Sequence, residues 1–522
     1  VTTQSEGPDR CTVRSPVEES PDDASPSRRR PRAVLIVHGM GQQTRLSTLD
    51  AFSRGLVAAL HRRCPTGTGE GGALGLRSEM ALLDEVAVER LVLEIPGPGG
   101  PREVHLYEAW WAPLTEGAVG LHDVLSFVLR AGWRAVRHRS TRFDRWMFGA
   151  WRSFQVSARS IVAIGAALAL VLAGSILGVI GSAVAVVTVL PGLGLPWPTA
   201  SRHAELTTTL LALLLTLGVT GGISALAAIP RSTAARTLSV VSAVLAGAAL
   251  VVGTGVMAWQ TVAATHLFPW LEGGWLHTPL AVVPWALLLA AASMIRRMLV
   301  QYVGDVVVYL EAHRIDRFAE LRSRIGRVVT DAARRVYGAR ADGPSGSDFL
   351  YDGVIIAGHS LGSVLGYDAL NRLINLDALR SNQRPEERLD VARRTRLLIT
   401  FGSPLDKTAW LFRMQSGAKA DAREALAALT QPLIVDRVGR PPWVNIHSPW
   451  DPVSGPLDYY DPPTESDGEQ VEGRPVENRV DPEARWPVTS HVQYWRTGAV
   501  FDSILDALLE ADPVVPPEGA TP

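Results

Sequence analysis

The chain has 522 residues, a formal net charge of −1 and only two cysteines, Cys11 and Cys64. The length allows several domains, each long enough to bury a core, and the near-neutral charge gives no global case for nucleic-acid binding. Two cysteines exclude both a disulfide framework and a thiolate metal cluster.

Residues 1–31 are rich in Ser, Pro, Asp and Arg and contain no apolar run, so they read as a disordered segment without the hydrophobic core of a signal peptide. Order is expected from residue 32. AVLIVHGMGQQ (33–43) is an apolar run ending in a Gly-rich turn, the pattern of a buried strand. A short helix, a Gly-rich loop and two further strands, around 89–95 and 103–113, complete a first α/β part over 32–121. Residues 122–160 differ in character: eight Arg are interleaved with Trp133, Trp146 and Trp151, which suits a helical segment at a membrane interface.

Four long apolar segments follow at 161–190, 206–229, 238–262 and 276–295, none containing Asp, Glu, Lys or Arg. Roughly 20 apolar residues cross a bilayer core, so the block 161–296 is expected to form four transmembrane helices. Arg231 and Arg236, with Arg296 and Arg297, fall on the same side as the Arg-rich stretch before the first span. The positive-inside rule then gives a multi-pass cell-membrane protein with both polar halves in the cytoplasm. The small-residue spacings Gly174-xxx-Gly178 and Gly218-xxx-Gly222 favour close helix packing, within the chain or in a homo-oligomer.

Residues 297–511 read as the second α/β part: a strand at 302–310, an amphipathic helix at 313–338, strands at 396–405 and 443–453, a mobile acidic loop at 458–483 and a closing helix in 490–511. A Pro-rich tail, 512–522, ends the chain. Strands alternating with helices indicate a mostly parallel sheet with helices on both faces.

IIAGHSLGSVLGYDAL (355–370) joins an apolar strand to a helix through Gly-His-Ser-Leu-Gly. Gly358 and Gly362 remove side chains where strand and helix meet, and the turn exposes the Ser360 hydroxyl at a helix N-terminus. Serine needs a base, itself steadied by an acid. Outside the elbow only His447 and His491 follow Ser360; His447 lies inside an apolar strand, whereas His491 opens a loop-to-helix segment. The acid is Asp451, after one strand end, with Asp406, after another, as the alternative. Two amides are needed for an oxyanion, and the turn VHGMGQQ supplies a second beside that of Leu361: Met40 N–H, in a turn shaped by Gly39 and Gly41 and supported by His38.

AGHSLGSVLGYDAL, FGSPLD, NIHSPWDPV and SHVQYW, in that order, resemble the lipase core of the α/β-hydrolases. The likeness is nearest to intracellular phospholipases A1 of the DDHD type and, at greater distance, to GPI inositol-deacylase lipases; GDVVVYL (304–310) resembles a segment of the former. It covers about 302–370 and 396–500 plus the HGMG turn. The resemblance implies Ser360, Asp451 and His491 as nucleophile, acid and base of a serine ester hydrolase, here interrupted by the four-helix insertion; tethering by those spans beside a bilayer, which raises the local concentration of lipids, points to a lipid or acyl-ester substrate. No metal or organic cofactor is implied. An acyltransferase or thioesterase using the same triad, and a catalytically silent membrane scaffold, are the rival readings.

Overall fold

The computed structural model describes residues 29–40, 43–63, 75–96, 101–115, 143–147, 150–154, 316–341, 348–408, 433, 441–451, 453–461, 475–485 and 489–510. All of them belong to one compact unit built from 1–116, 141–156 and 312–522; a second unit, 117–140 and 157–311, lies outside the described residues.

The elements in chain order are β1 (Arg32–Val37), α1 (Ser47–Arg63), β2 (Arg77–Leu83), β3 (Val86–Ile95), β4 (Arg102–Ala109), β5 (Phe143–Met147), β6 (Ala150–Phe154), α2 (Asp316–Gly338), β7 (Gly353–His359), α3 (Leu361–Gln383), α4 (Val391–Arg394), β8 (Thr395–Phe401), β9 (Trp443–His447), β10 (Glu477–Val480), α5 (Ser490–Gln493) and α6 (Gly498–Leu509). Eight strands form one sheet in the order β10-β9-β8-β7-β1-β4-β3-β2. β4, β1, β7, β8, β9 and β10 run parallel, and β3 and β2 extend the sheet as antiparallel neighbours.

Strand composition follows position. β1, β7 and β9 are buried at every residue, and they read in sequence as near-continuous apolar runs because helices cover both faces of a parallel sheet. One face packs Val34, Ile36, Ile355 and Ile399 against Phe52 and Leu56 of α1 and Phe501 and Ile504 of α6. Phe52 and Phe501 meet edge-to-face at 5.4 Å. α2 and α3 lie together on the opposite face. The outer strand β2 instead alternates and leaves Met80 and Leu82 exposed.

The expected four-helix transmembrane insertion is corrected here, and with it the multi-pass membrane localisation. No helix among the described residues is long and apolar enough to cross a membrane. The four apolar segments that suggested the spans lie outside the described residues, as does the strand expected at 302–310. Two local expectations also change. Residues 143–147 and 150–154, expected inside a helical segment, pair as the antiparallel strands β5 and β6, a two-stranded sheet of its own. Its two strands are separated in sequence only by Phe148-Gly149, a connection of hairpin length containing glycine. Within the expected loop 458–483, Glu477–Val480 pairs with β9 as an outer strand of the main sheet, and its polar sequence fits that edge position.

A buried arginine closes the unit. Arg32, with no exposed surface, donates from Nη1 to the carbonyls of Ala507 (2.9 Å) and Leu508 (2.7 Å) and from Nη2 to that of Glu510 (3.0 Å). These are carbonyls that the end of α6 leaves without helical partners, and a cation there also complements the helix dipole. Asp352 lies 3.5 Å from the same guanidinium. Replacing Arg32 by Met strands these acceptors, and we expect urea unfolding to show a loss of about 3 kcal/mol. Arg63→Ala, which breaks a half-exposed pair with Asp506, should cost less than about 1 kcal/mol.

Candidate active site

β7 ends at His359, α3 begins at Leu361, and Ser360 between them has φ 52° and ψ −128°. A non-glycine residue holds such a conformation only when its surroundings over-determine it, at a cost of about 1–3 kcal/mol. The surroundings here are backbone. The Ser360 amide donates to the Phe401 carbonyl at 3.0 Å, continuing the β7–β8 ladder past the strand end. A Cβ on Gly362 would lie 2.1 Å from the Val37 carbonyl oxygen, and one on Gly358 would lie 2.5 Å from Ser363 Cα. Only glycine lets the first turn of α3 rest on the end of β1.

Ser360 Oγ lies 2.9 Å from His491 Nε2, and His491 Nδ1 lies 3.0 Å from Asp451 Oδ2. The three expected residues are therefore brought together from segments 131 and 40 residues apart. Asp451 is wholly buried. Burial pushes its carboxyl up, but the His491 ring, the Val453 amide and the Ser454 hydroxyl outweigh burial and hold it well below the usual carboxylate range. A carboxylate only accepts, so the proton of neutral His491 sits on Nδ1 and its Nε2 lone pair takes the Ser360 hydroxyl. That is the tautomer a general base requires.

One residue not expected from the sequence, Tyr494, completes the acid's setting. Tyr494 O–H donates to Asp451 Oδ2 at 2.9 Å, and its oxygen lies 3.0 Å from Ser454 Oγ. Tyr494 follows His491 by three residues, a spacing that puts both on one face of a helical turn; that spacing was the available signal. The Val453 amide donates to Asp451 Oδ1 at 2.8 Å. The alternative acid, Asp406, is also buried, but its carboxylate bonds Lys407 Nζ at 3.1–3.2 Å, and no described hydrogen bond joins it to His491.

The turn after β1 lies against the serine: a Cβ on Gly39 would sit 2.8 Å from Ser360 Cβ. His38 braces this turn. The Trp111 amide donates to its Nε2 at 3.1 Å, so Nδ1 carries the proton and donates to the Gly39 carbonyl at 2.9 Å. The Trp111 ring stacks on His38 at 4.8 Å and 11°, and its Nε1–H reaches the His38 carbonyl at 3.2 Å. Trp111 is the second residue missed. Met40, half-buried, follows Gly39, and Leu361, as first residue of α3, has an amide with no intrahelical acceptor. Gly41 lies outside the described residues. His359 is the third missed residue; its Nε2 is 2.8 Å from the His491 carbonyl. Among the described residues no group of three or more His, Cys, Asp or Glu side chains is placed to hold a metal ion.

No family model, curated protein or solved structure matches this chain.

Burial lowers His38 to about 4 and His359 to about 3, the latter with a further contribution from His491. Both are neutral in the fold, whereas the unfolded chain protonates near pH 6.5. Stability is thus fully present above pH 6.5 and falls as pH drops toward these lowered values, because the unfolded state binds more protons. Burial raises Glu108 and Asp406, which act in the opposite sense, so the comparison of variants isolates the effect. Between pH 7 and pH 5, His359→Gln should lose about 2 kcal/mol less than the wild type in urea unfolding. Equal losses would contradict a neutral buried His359.

Proposed function

We propose that this chain is a serine hydrolase of the α/β-hydrolase type that cleaves carboxylic esters through an acyl-enzyme. The observation that carries the reading is the unbroken chain Ser360–His491–Asp451, at 2.9 and 3.0 Å, beginning at a strained strand-to-helix serine. As Ser360 Oγ attacks the carbonyl carbon, His491 Nε2 takes its proton. The amides of Leu361 and Met40 receive the charge that develops on the carbonyl oxygen. Asp451, ionised and fixed by Tyr494 and Val453, stabilises the imidazolium without taking its proton. His491 then returns the proton to the leaving alkoxide, activates a water, and the acid departs to restore Ser360.

The expectation of a lipid substrate drew on the spans, and it is not part of this proposal. What supports ester chemistry is the site alone: a hydroxyl nucleophile, a base in the correct tautomer, and a turn beside the serine with backbone amides for an oxyanion.

A fluorophosphonate probe applied to the full chain should label Ser360, and Ser360→Ala should abolish labelling. His491→Ala should slow labelling and ester turnover by at least about 10⁴-fold. A folded wild type that neither labels nor turns over a p-nitrophenyl ester defeats the proposal.

The acid is tested separately by kinetics. Asp451→Asn should cost about 10⁴-fold in kcat, since an amide there favours the wrong tautomer of His491. Asp406→Asn should stay within about tenfold of wild type, because its partner is Lys407. The reverse order would move the acid to Asp406.

A further inference from the structure

The base of the triad is carried by very little structure. α5 spans only Ser490–Gln493, and no side-chain hydrogen bond caps its N-terminus. The described backbone bonds of this turn run from Val492 and Gln493 to Thr489 and from Arg496 to Gln493. A helix this short leaves its carbonyls without intrahelical donors, and the His491 carbonyl is one of them. Asp451 holds the ring of His491 at Nδ1, but that bond alone leaves the backbone beneath the ring to be fixed by something else.

His359 supplies the fixing contact. Its Nε2 lies 2.8 Å from the His491 carbonyl oxygen. A carbonyl only accepts, so the proton of this ring is on Nε2 and is donated to His491. The ring is nearly buried, with its centroid 5.2 Å from that of Phe401, 5.1 Å from that of Trp495 and 5.0 Å from that of His491. Its other edge faces the turn after β1, where a Cβ on Gly39 would come within 2.9 Å of Nδ1. His359 is also the residue immediately before Ser360. One residue thus carries the nucleophile's neighbour in the chain and the contact that anchors the base.

We propose that His359 is a positioning residue: its ring N–H, donated to the His491 carbonyl, sets the distance and direction between His491 Nε2 and Ser360 Oγ. This rests on the serine-hydrolase reading for its kinetic consequence, but not for its structural one. The packing explains why a histidine suits the place. A side chain of this length reaches from the end of β7 to α5, its flat ring fits between Phe401 and Trp495, and as a neutral ring it adds no charge beside the imidazolium that forms on His491.

The test compares three variants of the full chain, each checked by thermal unfolding. His359→Phe keeps a ring and removes the donor; His359→Asn keeps an amide donor that falls short of the carbonyl; His359→Gln places an amide nitrogen near the position of Nε2. With p-nitrophenyl butyrate, Phe and Asn should lower kcat by about 10²-fold with KM unchanged, the loss expected for a misplacement of about 1 Å. Gln should recover to within about tenfold of wild type. In NMR spectra the downfield proton shared by His491 Nδ1 and Asp451 should broaden in Phe and Asn and persist in Gln. If His359→Phe fails to fold, the Asn and Gln pair carries the comparison. Full activity in Asn or Phe, or a Gln variant as impaired as Asn, overturns the proposal. If the wild type turns over no ester, the hydrolase reading fails alone, and the proton signal decides: its persistence in Asn shows that His359 does not hold His491.

Discussion

The contact on which the rest of the site depends is the seating of the first turn of α3 on the carbonyls that end β1. With no side chain at Gly362, the helix approaches Val37 and His38 within what would otherwise be a clash of backbone and Cβ. Packing that close leaves Ser360 no ordinary conformation between the end of β7 and the start of α3, and its φ of 52° follows. The same approach brings the Gly39 turn against the serine. Nucleophile strain and oxyanion geometry are two results of one close packing.

Around this contact Asp451, His38 and His359 are buried but paired, each in one protonation state. Asp451 accepts from His491, Tyr494 and Val453, which outweighs the penalty of holding a carboxylate without exposed surface. His38 and His359 are kept neutral by burial, and each spends its single N–H on a backbone carbonyl. Three histidines therefore stand within a few residues of the reacting centre in different roles. Of these three only His491 bonds the Ser360 hydroxyl and the Asp451 carboxylate, and those partners, rather than its residue type, make it the base.

What could be read from the sequence follows from where the determinants lie. β1, β7, β8 and β9 were legible because central parallel strands are apolar on both faces, and the elbow because close backbone contact demands glycine at fixed offsets. β2 and β10 were not, since edge strands alternate or turn polar and resemble loops. Ser360, Asp451 and His491 followed from chain order, and the structure draws them together. Tyr494, Trp111 and His359 escaped because their partners, Asp451, His38 and the His491 carbonyl, are close in space and not in a motif. The apolar segments at 161–295 show a different limit. Length without charge measures how apolar a segment is, and the spans inferred from it find no counterpart among the described helices.

The halves of the site lie on either side of some three hundred residues of chain, and strand register is what joins them. β1 pairs in parallel with β7 from Arg32↔Gly353 through Val37↔Gly358, so the next residues along the two strands are His38 and His359. The oxyanion turn and the nucleophile thereby leave the sheet at the same level. A slip of one residue would turn every side chain of β1 to the opposite face, exposing Val34 and Ile36 to the wrong layer and carrying the Gly39 turn away from Ser360. Register is therefore protected by the hydrophobic core, because the residues that bury β1 are those that prevent the slip. β4 repeats the lock on the other side, pairing Val37 with Ala109 and so delivering Trp111 to His38. Whatever the intervening chain does, the alignment of the turn with the serine is decided by three adjacent strands, of which β1 and β7 are almost wholly apolar.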